Sequence, residues 1–360
     1  MKNLITANEL YKRQLEYSKK AFEKDNLMPR RYVFVLTNLC NLRCSFCFQE
    51  RKKRPDRMTT KNWLEVISQI PENSRITLTG GEPLVYQDFD EIFRKANLVA
   101  ETNIVTNGLL LNNQKIENLL NQKNFKVLGV SIDTIGNVNR DFKKKQWSEL
   151  ISQLNKFILL REQKGHQSAL DIKTVILEEN IEQLFEIHKL VTETLKADTH
   201  SLQMLKGAEI QHSDLMFDFK QIDSDYEAYQ YKKFEKLVEQ LNLIKEYDYK
   251  FHHRTYLHPS LISFSDNKKF TKEDLLYLNN KKHNPNNFSV CYAPWSSVHI
   301  NVDGNLFPCM AVAMGNVKNT KLPDIIFSDN FKKFKNTIRE KGTISGCNRC
   351  GWLKPKQSEI

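Results

Sequence analysis

Seven cysteines are the residues of this 360-residue sequence best suited to chemistry, and they fall into two groups. Cys40, Cys44 and Cys47 stand as Cys-x3-Cys-x2-Cys; Cys291, Cys309, Cys347 and Cys350 lie near the other end, the last two as Cys-x2-Cys. Three thiolates on one loop can hold three irons of a [4Fe–4S] cube and leave the fourth iron open to a ligand. Zinc fits that trio poorly, because no His or fourth thiol stands nearby to close a tetrahedron. The second set has the four thiols of either a closed cluster or a zinc ribbon. An odd total argues against a fully paired disulfide framework.

The composition is that of a soluble globular chain, 40% hydrophobic and 27% charged. No apolar run approaches the roughly 20 residues that span a bilayer, and the N-terminus has no apolar segment followed by a small-residue cleavage site. A cytoplasmic location is expected, where structural disulfides are disfavoured. Lys and Arg number 54 against 43 Asp and Glu, a net +11. The excess invites a nucleic-acid reading, with Arg51-Lys52-Lys53-Arg54 just past the first cysteines. Lysine is dispersed throughout, however, and no RNA-binding module is recognisable, so nucleic acid is not the expected partner. Loop 51–57 equally suits an acidic or phosphorylated small molecule, or a simply solvated segment. A second concentration of functional groups is Phe251-His252-His253-Arg254-Thr255-Tyr256-Leu257-His258. It reads either as a base-bearing cover for a nearby site or as a solvated or packed segment.

These groups need elements to position them. Residues 5–25 read as a charged helix. Six β-rich runs follow: Tyr32–Leu36, Arg75–Thr79, Thr102–Thr106, Val127–Ile132, Asp171–Leu177 and Ser201–Leu205. Amphipathic helical stretches near 60–70, 86–97, 113–122, 147–164 and 180–195 separate them, the first with Thr59 or Thr60 as N-cap. The alternation predicts an α/β chain with a parallel sheet or barrel, its functional residues at the C-terminal strand ends. Four segments are expected: a helical extension (1–30), the barrel (31–206), a helical insertion or linker around Tyr226–Tyr247 (207–290) and a small C-terminal domain (291–360). In the last, His299–Pro308 reads as a hairpin turning at Asp303-Gly304.

With the elements laid out, the sequence resembles the radical SAM superfamily. That family's Cys-x3-Cys-x-aromatic-Cys places Phe46 at the aromatic position, near the adenine. Gly80-Gly81-Glu82-Pro83 after the second strand is similar to its GGEP stretch, which binds the methionyl amino group. Thr106-Asn107-Gly108 resembles its TNG, and Ser131 and Asp133 its ribose-contacting positions. The resemblance covers roughly residues 31–206 and implies a partial (β/α)6 TIM-type barrel. It also implies a cluster on Cys40, Cys44 and Cys47 that binds S-adenosylmethionine and cleaves it reductively to a 5′-deoxyadenosyl radical for hydrogen abstraction. An electron donor of flavodoxin or ferredoxin type is then expected.

The tail resembles the twitch domain, a short relative of SPASM, in which a hairpin and a short helix support one auxiliary [4Fe–4S] cluster, here on Cys291, Cys309, Cys347 and Cys350. With no further cysteine after Cys350, a second auxiliary cluster is not expected. Spending seven cysteines as three and four leaves no thiol to return a hydrogen atom, which disfavours epimerisation. The favoured reaction is oxidoreductase-type: dehydrogenation of a small hydroxylated or amino-sugar-like substrate. Maturation of a ribosomally made peptide, RNA modification and a non-catalytic metal-binding module are the alternatives. About 30 residues precede the first strand, so a peptide would need a partner protein or direct recognition. The proton-accepting residue is not legible.

Overall fold

The computed structural model describes residues 7–47, 49, 57–205, 207–211, 213, 215–253, 255–258, 268–354 and 356. The basic run Arg51–Arg54 and Arg254 lie outside these residues. No helix among them is long and apolar enough to cross a membrane.

Alternation along the strands builds the two faces of the sheet. In β1 (Arg31–Val35), Tyr32 and Phe34 are fully buried, whereas Arg31 and Val35 keep partial access. β2 (Arg75–Thr79) repeats the pattern, with Ile76 and Leu78 buried and Arg75, Thr77 and Thr79 partly accessible. β3 (Glu101–Thr106), β4 (Phe125–Ser131), β5 (Ala169–Ile176) and β6 (Thr199–Met204) follow, each parallel to the strand before it. The apolar face packs under helices α2 (Thr60–Ile67), α3 (Phe89–Val99), α4 (Asn113–Leu120), α5 (Lys144–Gln163) and α6 (Leu184–Lys189); α1 (Ala7–Lys24) precedes the barrel. Trp63 of α2 meets Phe34 with ring centres 4.9 Å apart, and Phe93, Phe125 and Phe157 form an edge-to-face chain across the layer. Thr59 caps α2 by accepting from Asn62 N at 3.2 Å.

All six expected strands are present within two residues of their expected ends, but the sheet runs on past both expected boundaries. β7 (Thr255–His258) adds a parallel strand beyond β6. At the other edge, β8 (Ser297–Ile300) pairs parallel with β1, and antiparallel β9 (Asn305–Phe307) and β10 (Gly315–Asn316) complete a ten-stranded open sheet. The stretch read as helical thus contributes a strand, hidden because four residues inside a histidine-rich run carry too little alternation to read. Its helix, α7, spans Phe234–Phe251 and starts later than expected. Tyr231, just before it, donates to Ile176 O and accepts from Leu205 N, which holds that approach against the barrel.

Helix α1 lies against the N-terminal strand ends. Its Gln14 Nε2 donates to Ser296 Oγ at 2.9 Å, and its Arg13 pairs with Glu101 at 3.4 Å. The C-terminal strand ends, where the first cysteine loop leaves β1, carry the first cavity.

Candidate active site

Cys40, Cys44 and Cys47 are half-buried and line a cavity of about 220 Å³ together with Phe46, Gly80, Gly81, Asn107 and Ser131. They come from the C-terminal ends of β1 to β4 or the loops after them, as a parallel sheet requires. Val175 from β5 and Gln203, Met204 and Leu205 at the end of β6 close the far wall. Burial pushes the Cys44 thiol up, and nearby Arg140 pulls it part of the way back.

The glycine pair is dictated first by backbone packing. A Cβ on Gly80 would stand 2.3 Å from Thr37 O, and one on Gly81 2.3 Å from Leu39 O. The space they leave lets Gly81 N donate to Thr37 O (2.6 Å) and Glu82 N to Leu39 O (2.9 Å), clamping the cysteine loop to the β2 turn. Glu82 is fully buried and does not line the cavity. Its carboxylate accepts from Leu84 N (3.0 Å), Thr106 Oγ1 (2.7 Å) and Asn107 N (2.7 Å), tying the β2 and β3 turns together. Burial raises its pKa despite these three bonds. Asn107 donates to Asn41 Oδ1 at 2.7 Å and reaches to 3.7 Å from Cys40 Sγ, so it joins the β3 turn to the cysteine loop.

Asp133 is likewise buried and away from the cavity wall, but it places a residue that the motifs did not reveal. Arg140 Nε donates to Asp133 Oδ2 at 2.6 Å, and its guanidinium lines the cavity, 3.7 Å from Cys44 Sγ and 5.2 Å from the Phe46 ring centre. Nothing in its spacing marks Arg140; only its place in the loop after β4 hints at a role. Of the histidine-rich run, Tyr256 faces the barrel lumen. His252 ends α7 in the left-handed conformation (φ 56°), and His253 stacks on Tyr247 at 5.4 Å.

The second cysteine set sits at the edge where the C-terminal segment joins β1. Cys291 precedes β8, Cys309 follows β9, and Cys347 and Cys350 lie beyond the helix Asp329–Lys341. Burial pushes Cys291 up to about 12 and raises Cys309, Cys347 and Cys350, and neighbouring thiols of the set raise the first three further. Four enclosed thiols that would titrate this high are a donor set which metal binding, not water, deprotonates. Among the described residues no three His, Cys, Asp or Glu side chains are drawn together as ligands of a single ion. Four thiols at one edge supply the one cysteine per iron that a closed [4Fe–4S] cube takes, so the set fits a cluster. Gly207 packs with its Cα against Asn348, where a Cβ would meet Asn348 O, and Gln211 Nε2 donates to Asn348 O at 2.9 Å. These contacts lace the segment after β6 to the Cys347–Cys350 turn.

One thiol set open to a cavity at the strand ends, and another enclosed at the flank of the same open barrel, define a radical SAM enzyme with an auxiliary cluster. Comparison with known families agrees: the radical SAM superfamily matches residues 34–191, and the SPASM iron–sulfur cluster-binding domain residues 291–351. The chain belongs to the radical SAM superfamily and carries a C-terminal domain of the SPASM type. Its cofactors are S-adenosylmethionine and two [4Fe–4S] clusters, and the two thiol sets, three and four in number, fit such clusters.

Among curated proteins, the sporulation killing factor maturation protein SkfB of Bacillus subtilis (strain 168) is 31% identical over 126 residues, 34% of this chain and 30% of that protein. The S-adenosylmethionine-dependent nucleotide dehydratase of Flammeovirga pacifica is 33% identical over 125 residues, 32% of this chain and 42% of that protein. The chain thus matches less than half the length of either relative. Among solved structures, Streptococcus suis SuiB bound to S-adenosylmethionine aligns with a TM-score of 0.62 at 18% identity, over 92% of this chain and 74% of that one. anSMEcpe with bound AdoMet aligns with a TM-score of 0.57 at 14% identity, over 90% and 87%. At these identities the likeness to the two structures is one of fold.

Proposed function

We propose that the chain is a dehydrogenating radical SAM enzyme that removes two hydrogens from a small hydroxylated or amino-sugar-like molecule. When bound, the cofactors supply a 5′-deoxyadenosyl radical for hydrogen abstraction and an iron–sulfur electron sink. The chain's own residues do the rest: Gly80, Gly81, Asn107, Ser131 and Phe46 border the space for S-adenosylmethionine, and Arg140 holds a cation beside it. One observation carries the oxidative reading. Arg31 lines a second chamber inside the barrel, and the same guanidinium feels Cys350 of the enclosed set. Arg31 also lies over the Trp352 ring at 5.8 Å, so an acceptor held by those thiols would stand on the far side of Arg31 from the space where a substrate would lose its second electron. A flavodoxin- or ferredoxin-type protein would supply the priming electron, and thiols that must stay reduced to bind iron favour a cytoplasmic location.

The match to SkfB, a maturation protein, favours peptide modification as the second reading. Both are tested on anaerobically reconstituted, reduced protein with S-adenosylmethionine and fractionated cell extract. The proposal expects a small-molecule fraction to stimulate 5′-deoxyadenosine and to yield a product lighter by two hydrogens. Stimulation by the peptide fraction alone would transfer the assignment to the second reading. No 5′-deoxyadenosine under any condition would overturn both.

A further inference from the structure

Inward of the cofactor cavity, the barrel lumen opens into a second chamber of about 340 Å³. Gln49, Thr79, Val105 and Gln203 line both spaces, so a ligand seated in the inner one borders the outer. Three basic side chains enter the chamber from separate strands: Arg31 of β1, Lys173 of β5 and His299 of β8. Tyr256 and Ser201 add hydroxyls, and among the described residues no Asp or Glu lines the wall. We propose that this chamber binds an acid group of the substrate, a carboxylate or a phosphate, with Arg31 as its principal anchor. The proposal rests on the enzyme reading above and narrows its substrate from hydroxylated molecules in general to those bearing an acid.

The charge balance carries the argument. Arg31 donates to Ser297 Oγ at 2.7 Å and lies over the Trp352 ring at 5.8 Å, and no carboxylate among the described residues pairs with it. An enclosed cation without an anion is costly. Behind it, Arg75 is its register partner across β1 and β2, and Arg75 Nε has no hydrogen-bond partner. The acid on the next strand, Glu101, is engaged by Arg13. Lys173 is locked in place: its Nζ bonds Asp171 Oδ2 at 2.6 Å, while Ser201 Oγ donates to Asp171 Oδ1 at 2.7 Å. The lysine stem crosses Gly129, where a Cβ would stand 2.8 Å from Lys173 Cε, so a larger residue on β4 would push the stem aside. His299 donates from Nδ1 to Pro308 O at 2.6 Å, because a carbonyl can only accept. With the Ser201 proton on Asp171 and the His299 Nδ1 proton on Pro308 O, the charge of the wall rests on Lys173, which has Asp171, and on Arg31, which has no carboxylate among the described residues: an acid completes it, and a substrate carrying only an ammonium meets like charge.

The test uses anaerobically reconstituted holoenzyme with inorganic phosphate and malonate as probes. Binding is measured by calorimetry, and phenylglyoxal labelling of individual arginines by peptide mass. One or both anions should bind and slow labelling of Arg31 about fivefold or more, leaving exposed Arg13 unprotected. Arg31→Gln and Lys173→Met should each weaken anion binding about tenfold or more, with iron content confirming that the fold is intact. If Arg31→Gln fails to load its clusters, Lys173→Met and the wild-type protection experiment decide. Preference for phosphate or for malonate assigns the acid. No protection of Arg31, or wild-type affinity in the variants, overturns the proposal, as does a variant that shifts only the auxiliary cluster's potential. The readouts are independent of S-adenosylmethionine cleavage, so their failure leaves the enzyme reading standing. Conversely, anion binding without any 5′-deoxyadenosine would fail that reading alone.

Discussion

Arg140 Nε donates to Asp133 Oδ2 at 2.6 Å, and this buried carboxylate holds the guanidinium 3.7 Å from Cys44 Sγ. The other Asp133 oxygen accepts from Val175 N at 2.8 Å, so the aspartate is fixed to β5 while it orients a cation over the cavity. Burial works against the Arg140 charge, but Asp133 and Cys44 outweigh it and raise its pKa. A ribose-contact position inferred from resemblance thus acts here on the protein, and through Arg140 on the cofactor space.

Asp133→Asn should therefore weaken S-adenosylmethionine binding about tenfold or more without touching the cavity wall directly. Removing one partner of a buried pair costs about 3–5 kcal/mol, so global stability should fall as well. Equilibrium dialysis with the reconstituted protein and a denaturant titration measure the two effects. Unchanged affinity and stability would show that the pair is dispensable.

The barrel was legible because six apolar runs alternate with helical stretches, and the cavity because its motifs sit at strand ends. Glu82 and Asp133 were legible as residues of the site but not in their placement, since a motif does not say whether a carboxylate points at ligand or at backbone. Arg140 had no signature, being one basic residue in a chain with 54. Arg31 did carry a signal: it is a charge at the inward parity of an otherwise apolar parallel strand, which is costly unless the lumen is a site. β7 stayed hidden because tertiary pairing with β6, rather than its own pattern, makes Thr255–His258 a strand.

Gly81→Ala tests the clamp between the β2 turn and the cysteine loop. A methyl 2.3 Å from Leu39 O meets rigid backbone rather than a movable side chain, so the turn and loop must separate. The expected result is loss of the iron held by Cys40, Cys44 and Cys47, with the auxiliary site still loaded. Wild-type iron content and S-adenosylmethionine affinity in this variant would contradict the packing account.

Loaded wild-type protein should contain about eight iron atoms per chain. Replacing Cys347 and Cys350 together by Ala should leave about four and preserve some 5′-deoxyadenosine formation. Replacing Cys40, Cys44 and Cys47 should also leave about four but abolish that formation. Iron and zinc analysis by plasma emission decides: about four iron with one zinc in the wild type would make the enclosed set a zinc site.

Acid should destabilise the fold through one buried and one half-buried histidine. Thr174 Oγ1 donates to Ile132 O at 2.6 Å, so it accepts from His200 Nε2 at 2.9 Å, and His200 Nδ1 is left to accept from His188 Nδ1 at 3.0 Å. On its far side His188 Nε2 lies 2.9 Å from Asp248 Oδ1. His200 is thereby held neutral: burial lowers its pKa well below the usual 6.5, and His188 lowers it further. His283, stacked on Phe288 at 4.9 Å, is lowered by burial to about 4. The unfolded chain takes up both protons near pH 6.5 and the folded chain does not. The stabilisation is therefore complete above pH 6.5 and declines as pH falls towards about 4, by about 1.4 kcal/mol per pH unit for each histidine. His200→Gln keeps a donor for Thr174 and an acceptor for His188 but cannot titrate. In thermal melts between pH 7 and 5 it should lose a measurable part of the wild-type decline in Tm. A decline as steep as that of the wild type would mean that His200 already shares a proton in the folded state.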